Sequence, residues 1–273
     1  MTDRSLAALG YGDVPALSPL TYPGRPVTAP ALLVGGELWD LRAGPGPVGT
    51  WRVPDGPDGT PGGPLDAVLA RLGQAPVAER LPVLAVGSNA SPAQLSHKLT
   101  RLELPSALPL VPVRVRGVAV GASAHIGRYG YVAAAPYADP NADTRLVVGW
   151  LDPAQLAAVD ATETPAYHRL PLASDFPAVL PSGEPLAGAH LYAGARGVLA
   201  DATGAPRAGG GDQAALLAGL LAASARLRAL LGPDPATWVA RAGSSVALRD
   251  AGTRAFREEG WVLPQEAFRP HTP

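Results

Sequence analysis

The sequence predicts an α+β fold: a small, partly closed mixed β-barrel with short helices and an additional C-terminal helical segment. Three observations support this fold class. The centre of the chain holds many short apolar runs typical of strands, and two segments there begin with helix-capping residues. After Gly194 the strand pattern gives way to apolar helical periodicity. Many short, bent strands with few helices favour a small barrel over a doubly wound sheet.

The composition is that of a folded protein without an electrostatic reason to bind polyanions. The 273 residues are 47% hydrophobic and 16% charged, with a formal net charge of −1. This balance gives no reason to expect nucleic acid or an anionic membrane as a partner. The absence of cysteine excludes disulfides and thiolate metal sites. The first eleven residues lack the apolar core of a signal peptide, so we expect a cytoplasmic protein.

Residues 1–80 form the first of three predicted regions. Residues 1–30 are rich in proline and glycine and predict an extended arm lying on the body of the protein. Residues 31–41 hold two apolar runs around a Gly-Gly pair and predict a short hairpin. Residues 43–64 are dominated by glycine, proline and aspartate, and are the best candidate for a mobile loop. Helical spacing of apolar residues follows at 65–72.

The second region, residues 81–194, is the predicted barrel. Residues 81–86 predict a buried strand that ends at the sequence Gly-Ser-Asn. Ser91 then caps a helix that runs to about Leu99, with a proline in the first turn and a glutamine that completes a capping box. A second start of the same kind, Asp-Pro-Ala-Gln, leads through a short helix to Glu163, and Pro165 ends it.

The remaining strands of the barrel are predicted from alternating apolar residues. Gly117 and Gly121 permit sharp bending of one strand. The turn-rich residues 139–143 predict a chain reversal between two others. The predicted strands are 111–120, 129–135, 146–151, 169–172, 176–180 and 187–192.

The third region, residues 195–273, is a predicted helical extension that packs on the barrel. A glycine-rich joint at 208–211 precedes residues 213–231, which predict one apolar helix closed by Gly-Pro. Three aromatic residues anchor a final helical segment: Trp238, Phe256 and Trp261. The longest apolar run, 214–223, is about half of what a bilayer-spanning helix needs, so we expect no membrane partner.

The loop Gly87-Ser88-Asn89 is the first candidate for chemistry. A glycine at the end of a buried strand lets the backbone approach a ligand closely. The amides that follow, at the foot of a capped helix, can bind a carboxylate or a developing oxyanion. The alternative is an ordinary turn in which Asn89 and Ser91 satisfy backbone donors.

Glu163 is the second candidate. Asp160 lies three residues earlier, so both carboxylates share one helix face, and Pro165 forces Glu163 to the helix end. The helix dipole at that end disfavours ionisation, which suits a general base. The alternative is that Glu163 is a solvated terminal residue and Asp160 a surface charge.

Other chemistry-bearing residues carry less information. The histidines show no metal-ligand spacing, and a structural, hydrogen-bonded role is the better interpretation of His125. Ser88 is not in a nucleophile elbow, because the glycine expected two residues later is Ala90. The full set of histidines is His97, His125, His168, His190 and His271.

Taken together, these features resemble the γ-glutamylcyclotransferase-like family over residues 81–194. That family has a bent strand ending in a Gly-Ser-Asn loop, then a later strand that leads into Leu-Asp-x-x-Glu, followed by tyrosine and arginine. Val86 stands where the family usually has tyrosine, and Tyr192 corresponds to a further tyrosine in a late strand. The corresponding segments here are Val86-Gly87-Ser88-Asn89, Val148-Gly149-Trp150-Leu151, Val159-Asp160-Ala161-Thr162-Glu163 and Tyr167-His168-Arg169.

The resemblance implies a small mixed β-barrel of that family's type and an acyl-transfer reaction on a small-molecule substrate. In such a reaction the α-amine of the substrate attacks its own γ-carbonyl, closing 5-oxoproline and expelling an amine or a peptide. Glu163 would be general base and then general acid. The substrate would be bound by Val86, Gly87, Ser88, Asn89, Tyr167 and Tyr192. No metal or organic cofactor is implied, because positioning of two groups in one molecule supplies much of the rate.

Three hypotheses are therefore open. The first is a cyclotransferase or amine transferase that uses Glu163. The second is a non-catalytic small-molecule-binding or interaction protein that keeps the barrel, motivated by Val86 and by the regions outside 81–194. The third is that the barrel assignment is wrong, in which case Glu163 would lie more than about 10 Å from Asn89, beyond hydrogen-bond reach. The sequence leaves the oligomeric state open.

Overall fold

A computed structural model describes residues 3–57 and 61–268. The ends of the predicted arm and of the C-terminal extension, and three residues of the predicted mobile loop, lie outside this range. Its strands are β1 (Ala31–Val34), β2 (Glu37–Asp40), β3 (Arg52–Asp55), β4 (Pro61–Pro64), β5 (Leu81–Ala85), β6 (Leu108–Ile126), β7 (Val132–Leu151), β8 (Tyr167–Pro171), β9 (Ala178–Val179), β10 (His190–Gly194), β11 (Val198–Leu199) and β12 (Val262–Leu263). Its helices are α1 (Leu65–Arg71), α2 (Pro92–Thr100), α3 (Pro153–Glu163), α4 (Gln213–Ala223), α5 (Ala225–Leu231), α6 (Pro235–Ser244) and α7 (Val246–Glu258).

The fold is α+β and is built on one large mixed sheet. Along its main path the strands follow the order β12-β11-β6-β7-β5-β10-β8, with β1, β2 and β9 attached on the β6 side. Strand β5 is antiparallel to β7 and parallel to β10. Among the described residues the strand pairing does not run round into a closed ring, since the path has two ends at β8 and β12.

The two longest strands, β6 and β7, correct one part of the sequence prediction. Residues 129–135 and 146–151 are not separate strands joined by a reversal at 139–143. A single strand, β7, starts at Val132 and continues through the turn-like residues to Leu151. Arg116 pairs with Asp143 and Val118 with Ala138, so residues 139–142 bulge outward opposite a single residue, Gly117. Gly117 has φ of +78°, which glycine adopts without strain.

The two helix starts at the centre of the chain are confirmed. The Ser91 side chain accepts the backbone N–H of Gln94, and Asp152 with Gln155 forms a complete capping box at α3. The predicted box at α2 is only half formed. The Gln94 side-chain oxygen instead accepts the N–H of Ala16 at 3.0 Å, which ties the N-terminal arm to the base of α2.

The N-terminal region is more ordered than its composition indicates. The predicted hairpin is confirmed as β1 and β2. Residues 43–64 do not form one featureless loop, because β3 pairs with β4 there. Trp51 and Val53 are buried against α1 in the largest hydrophobic core, and the burial of these apolar side chains outweighs the turn-forming composition around them.

The C-terminal region forms four helices over one end of β6 and β7. The prediction of a single helix over 213–231 is wrong, because Ser224 accepts the N–H of Leu227 and so starts a new helix, α5. Trp238 and Phe256 are fully buried at the centre of this layer. In the described part of the chain no single helix has the length and apolar character of a membrane span. Helices α4 and α5 reach it only as a pair, with a bend of 120° between them.

Candidate functional site

The Gly-Ser-Asn loop follows the end of β5 and leads into α2. Ser88–Ala90 form a short 3-10 turn, in which Ala90 and Ser91 donate their N–H groups to the carbonyls of Gly87 and Ser88. The sheet fixes the start of this loop because β5 has a hydrogen-bonded strand on each side. The capped first turn of α2 fixes its end. The side chain of Asn89 is thereby held at one wall of a cavity.

Glu163 is the last residue of α3, as predicted, and its helix end is anchored by Asp160. Arg169 donates two hydrogen bonds to the Asp160 carboxylate, at 2.9 and 3.1 Å. The hydroxyl of Tyr192 donates a third at 2.6 Å. The interpretation of Asp160 as a surface charge is therefore wrong. Its bonds to Arg169 foremost hold the pKa of Asp160 below its ordinary value, and the charged carboxylate ties α3 to β8 and β10.

The two candidate motifs meet across the cavity. Asn89 Nδ2 donates to Glu163 Oε1 at 3.0 Å, which excludes the hypothesis that these residues lie more than 10 Å apart. Lys98 Nζ, from α2, donates to Asn89 Oδ1 at 2.9 Å and lies 3.3 Å from Glu163 Oε1. Lys98 also donates to the hydroxyl of Thr162 at 2.8 Å. Among the described residues, every hydrogen bond given to the Glu163 carboxylate ends on Oε1.

The cavity has a volume of about 570 Å³, within the range of about 300–1,000 Å³ typical of small-molecule sites. All seven residues singled out by sequence lie in its walls: Val86, Gly87, Ser88, Asn89, Glu163, Tyr167 and Tyr192. Tyr167 and Tyr192 contribute their rings to the cavity wall, but their hydroxyl protons are already donated within the protein. Tyr167 donates its hydroxyl proton to the carbonyl of Ala134 at 2.8 Å, and Tyr192 donates to Asp160.

Sequence reasoning missed the walls that come from outside residues 81–194. Tyr22 comes from the N-terminal arm, and Val246, Arg249 and Asp250 come from α7. No local pattern marks these residues, because they reach the site through packing between distant segments. Lys98 is the exception, because it stands out in the sequence as the only lysine in the chain.

Four tyrosines, three buried and one partly buried, line the same cavity as Glu163. Burial raises the pKa of each phenol above its ordinary value, and the negative charge of Glu163 adds to the effect in every case. The rings of Tyr22 and Tyr131 are stacked, with centroids 4.3 Å apart. All four hydroxyls therefore keep their protons and can act as hydrogen-bond donors. The four residues are Tyr22, Tyr131, Tyr167 and Tyr192.

His125 is both a structural histidine and a wall of the cavity. Its Nδ1 lies 2.7 Å from the hydroxyl of Ser123, and its ring meets the edge of Tyr167 at a centroid distance of 5.4 Å. Burial foremost, and then the charge of Arg196, lowers the pKa of His125 to about 4. The imidazole is therefore neutral near pH 7.

The C-terminal helices support the wall that carries Tyr131. Trp238 Nε1 donates to the carbonyl of Gly130 at 2.9 Å. A Cβ at Gly130 would lie only 2.6 Å from the carbonyl oxygen of Val239, so α6 approaches this turn as closely as glycine allows. The helical layer is thus in direct contact with the site.

The cavity walls carry more positive than negative side chains. Five basic residues and two acidic residues line it, which favours an anionic ligand. No group of three or more histidine, aspartate or glutamate side chains in the described residues is placed to hold a metal ion. His271 lies outside those residues. The charged residues of the walls are Lys98, Arg101, Arg128, Arg196, Arg249, Glu163 and Asp250.

Comparisons with known proteins do not assign this chain to a family. No protein-family model matches the sequence, and no curated protein matches it. Among solved structures, the solution structure of At3g28950.1 from Arabidopsis thaliana is similar at 18% identity with a TM-score of 0.32. The alignment covers 42% of this chain and 61% of that one, so this chain spans about three fifths of the structure it matches.

Proposed function

We propose that this protein is an acyl-transfer enzyme of the γ-glutamylcyclotransferase-like kind, with Glu163 as its general base and acid. The observation that carries the proposal is the 3.0 Å contact between Asn89 and Glu163 at the wall of a ligand-sized cavity. A hydrogen-bonding loop and a carboxylate from distant parts of the chain converge there, as acid–base catalysis on a bound amide requires. Under this proposal the large sheet is a distorted barrel of that family's type.

The proposed reaction needs no second substrate. The α-amine nitrogen of a γ-glutamyl amide attacks its γ-carbonyl carbon, and Glu163 takes a proton from that nitrogen. The bond between the γ-carbon and the leaving nitrogen then breaks, and Glu163 returns the proton to the leaving amine. One C–N bond forms and one breaks, giving 5-oxoproline and a free amine or peptide. Glu163 Oε2 is the oxygen available for this proton, because the described donors all end on Oε1.

The charges of the cavity match this substrate class. A γ-glutamyl compound carries a carboxylate, and the basic side chains of the walls attract such a group. Lys98 acts as a positioning residue, since its ammonium holds Asn89 and Glu163 in one arrangement. Reacting groups that are held in a fixed orientation react faster than groups that are merely close together.

A second candidate function is favoured by the same lysine. Lys98 forms an ion pair with Glu163 Oε1, so one of the two carboxylate oxygens that could accept the proton is already bound. A protein that binds γ-glutamyl or 5-oxoproline compounds without turning them over would need only the charge and shape of the cavity. Binding without turnover across a broad panel of amides is the result that favours this alternative.

The test is turnover by the Glu163→Gln variant. Formation of 5-oxoproline from a panel of L-γ-glutamyl amides is measured by mass spectrometry for the purified full chain. We expect the variant to lose at least about a hundredfold in kcat/KM, since general acid–base catalysis contributes about 10²–10⁴. Glu79→Gln, at an exposed glutamate outside the cavity walls, is the matched control and is expected to keep full activity. Undiminished turnover by Glu163→Gln would contradict the proposal.

A further inference from the structure

Tyr22 is a residue of the N-terminal arm that reaches the centre of the candidate site. It is 4% exposed and lines the same cavity as Asn89 and Glu163. Its ring is held by stacking on Tyr131. The arm is itself fastened next to the site by the hydrogen bond from Ala16 to Gln94. The position of the Tyr22 ring is therefore fixed on two sides.

The phenol oxygen of Tyr22 is used as an acceptor by the protein. The N–H of Ala134 donates to it at 2.7 Å. Gly87 is what permits this approach, because a Cβ there would lie 2.3 Å from the Tyr22 hydroxyl oxygen. With a backbone donor directed at the oxygen, the hydroxyl's own proton has to be donated in another direction.

That proton stays on the oxygen and has no acceptor among the hydrogen bonds of the described residues. Burial raises the pKa of Tyr22 well above its ordinary value, and the negative charge of Glu163 acts in the same direction. A buried hydroxyl that accepts from the backbone and keeps its proton is a donor still to be satisfied. Because Tyr22 lines the cavity, a compound bound in the cavity can supply the acceptor.

We propose that Tyr22 donates this hydrogen bond to the γ-carbonyl oxygen of the bound compound, so that the N-terminal arm supplies a ligand-binding residue. The inference rests on the proposed function for the class of ligand. When the amine attacks, the γ-carbonyl oxygen gains negative charge, and a preorganised donor in a buried site stabilises that charge more than the ground state. In the product the same donor meets the lactam oxygen of 5-oxoproline.

The experiment compares two five-membered-ring acids, one with this oxygen and one without it. Because the ring nitrogen of L-proline is also cationic, the quantity that decides is the change in their affinity ratio between wild type and variant. The affinities of 5-oxo-L-proline and L-proline are measured by calorimetry for the full chain and for Tyr22→Phe, which keeps the stacked ring and removes the hydroxyl. We expect the wild-type protein to prefer 5-oxo-L-proline, and Tyr22→Phe to lower that preference about tenfold. A purely structural role for the hydroxyl weakens both ligands equally and leaves the ratio unchanged.

Two further variants guard this test. Tyr11→Phe changes a buried tyrosine of the same arm that does not line the cavity, and is expected to keep the preference. Gly87→Ala pushes the Tyr22 hydroxyl away without altering Tyr22, and is expected to reduce the preference even if Tyr22→Phe folds poorly. The inference is overturned if the affinity ratio of 5-oxo-L-proline to L-proline is unchanged in both Tyr22→Phe and Gly87→Ala. It is also overturned if Tyr11→Phe reduces this ratio equally. Either result leaves the proposed function standing. Wild-type protein that binds neither compound overturns both.

Discussion

Lys98 Nζ lies 3.3 Å from Glu163 Oε1, and the two side chains are only 10% and 18% exposed. The pair joins α2 to the end of α3, and Lys98 is the only lysine in a chain whose other cationic side chains at pH 7 are arginines. An ammonium is a compact charge on a flexible stem, so it can contact Asn89, Thr162 and Glu163 at once, where a planar guanidinium is restricted to its fork geometry.

The first prediction concerns the strength of this pair. Because both side chains are largely shielded from water, we expect a coupling free energy of about 1–3 kcal/mol, above the ~0–1 kcal/mol of exposed pairs. Urea unfolding of Lys98→Met, Glu163→Gln and the double variant gives this value from a double-mutant cycle. Additive effects of the two substitutions would mean that the pair does not form in solution.

The second prediction concerns the glycine beneath Tyr22. Gly87→Ala places a methyl group 2.3 Å from the Tyr22 hydroxyl oxygen, so we expect a loss of about 1–3 kcal/mol in the free energy of unfolding. Gly36→Ala is the matched control, since its Cβ would meet nothing within 4 Å. Addition of Tyr22→Phe to Gly87→Ala is expected to restore part of the loss, because it removes the atom that the methyl group meets. Equal stability of the two alanine variants would show that the approach is looser than described.

The third prediction concerns the pH dependence of stability from His125. Its folded pKa of about 4 lies below an unfolded value of about 6.5, so the unfolded chain takes up the proton first as the pH falls. Its contribution is fully present above pH 6.5 and is lost between about pH 6.5 and 4, by about 3 kcal/mol in all at about 1.4 kcal/mol per pKa unit. Denaturant midpoints of wild type and His125→Gln across this range test it, and the variant is expected to have the flatter profile. Parallel profiles would contradict the burial of a neutral imidazole.

The fourth prediction concerns Asp160. Since its folded pKa is lowered by Arg169, it stabilises the protein above the unfolded pKa of about 3.9, and the contribution disappears as the pH falls through the folded value. We therefore expect wild type to lose stability more steeply than Asp160→Asn below about pH 4. At pH 7 the variant is expected to be the less stable protein and, because Tyr192 loses its charged acceptor, to bind ligand more weakly. Thermal unfolding at pH 7 and pH 3 measures both effects on stability.

The parts of the site that the sequence predicts are the parts decided by local chemistry. A capping serine or aspartate, a proline in the first turn and a stop at Pro165 fix α2 and α3 almost to the residue. The contact between Asn89 and Glu163 follows from the family resemblance alone, since no local pattern relates residues so far apart in sequence. Tyr22 and α7 were missed for the same reason. The prediction of a chain reversal at 139–143 was wrong because a bulge and a chain reversal use the same residue types.

The cavity draws its walls from the arm at Tyr22, from the central sheet and from α7 at Val246 and Arg249. A molecule lodged there would touch the first and last thirds of the chain together. A bound ligand would then hold these segments together and stabilise the folded state. The melting temperature would rise with ligand concentration, as mass action requires. Protection from proteases at the arm and at α7 would rise in step.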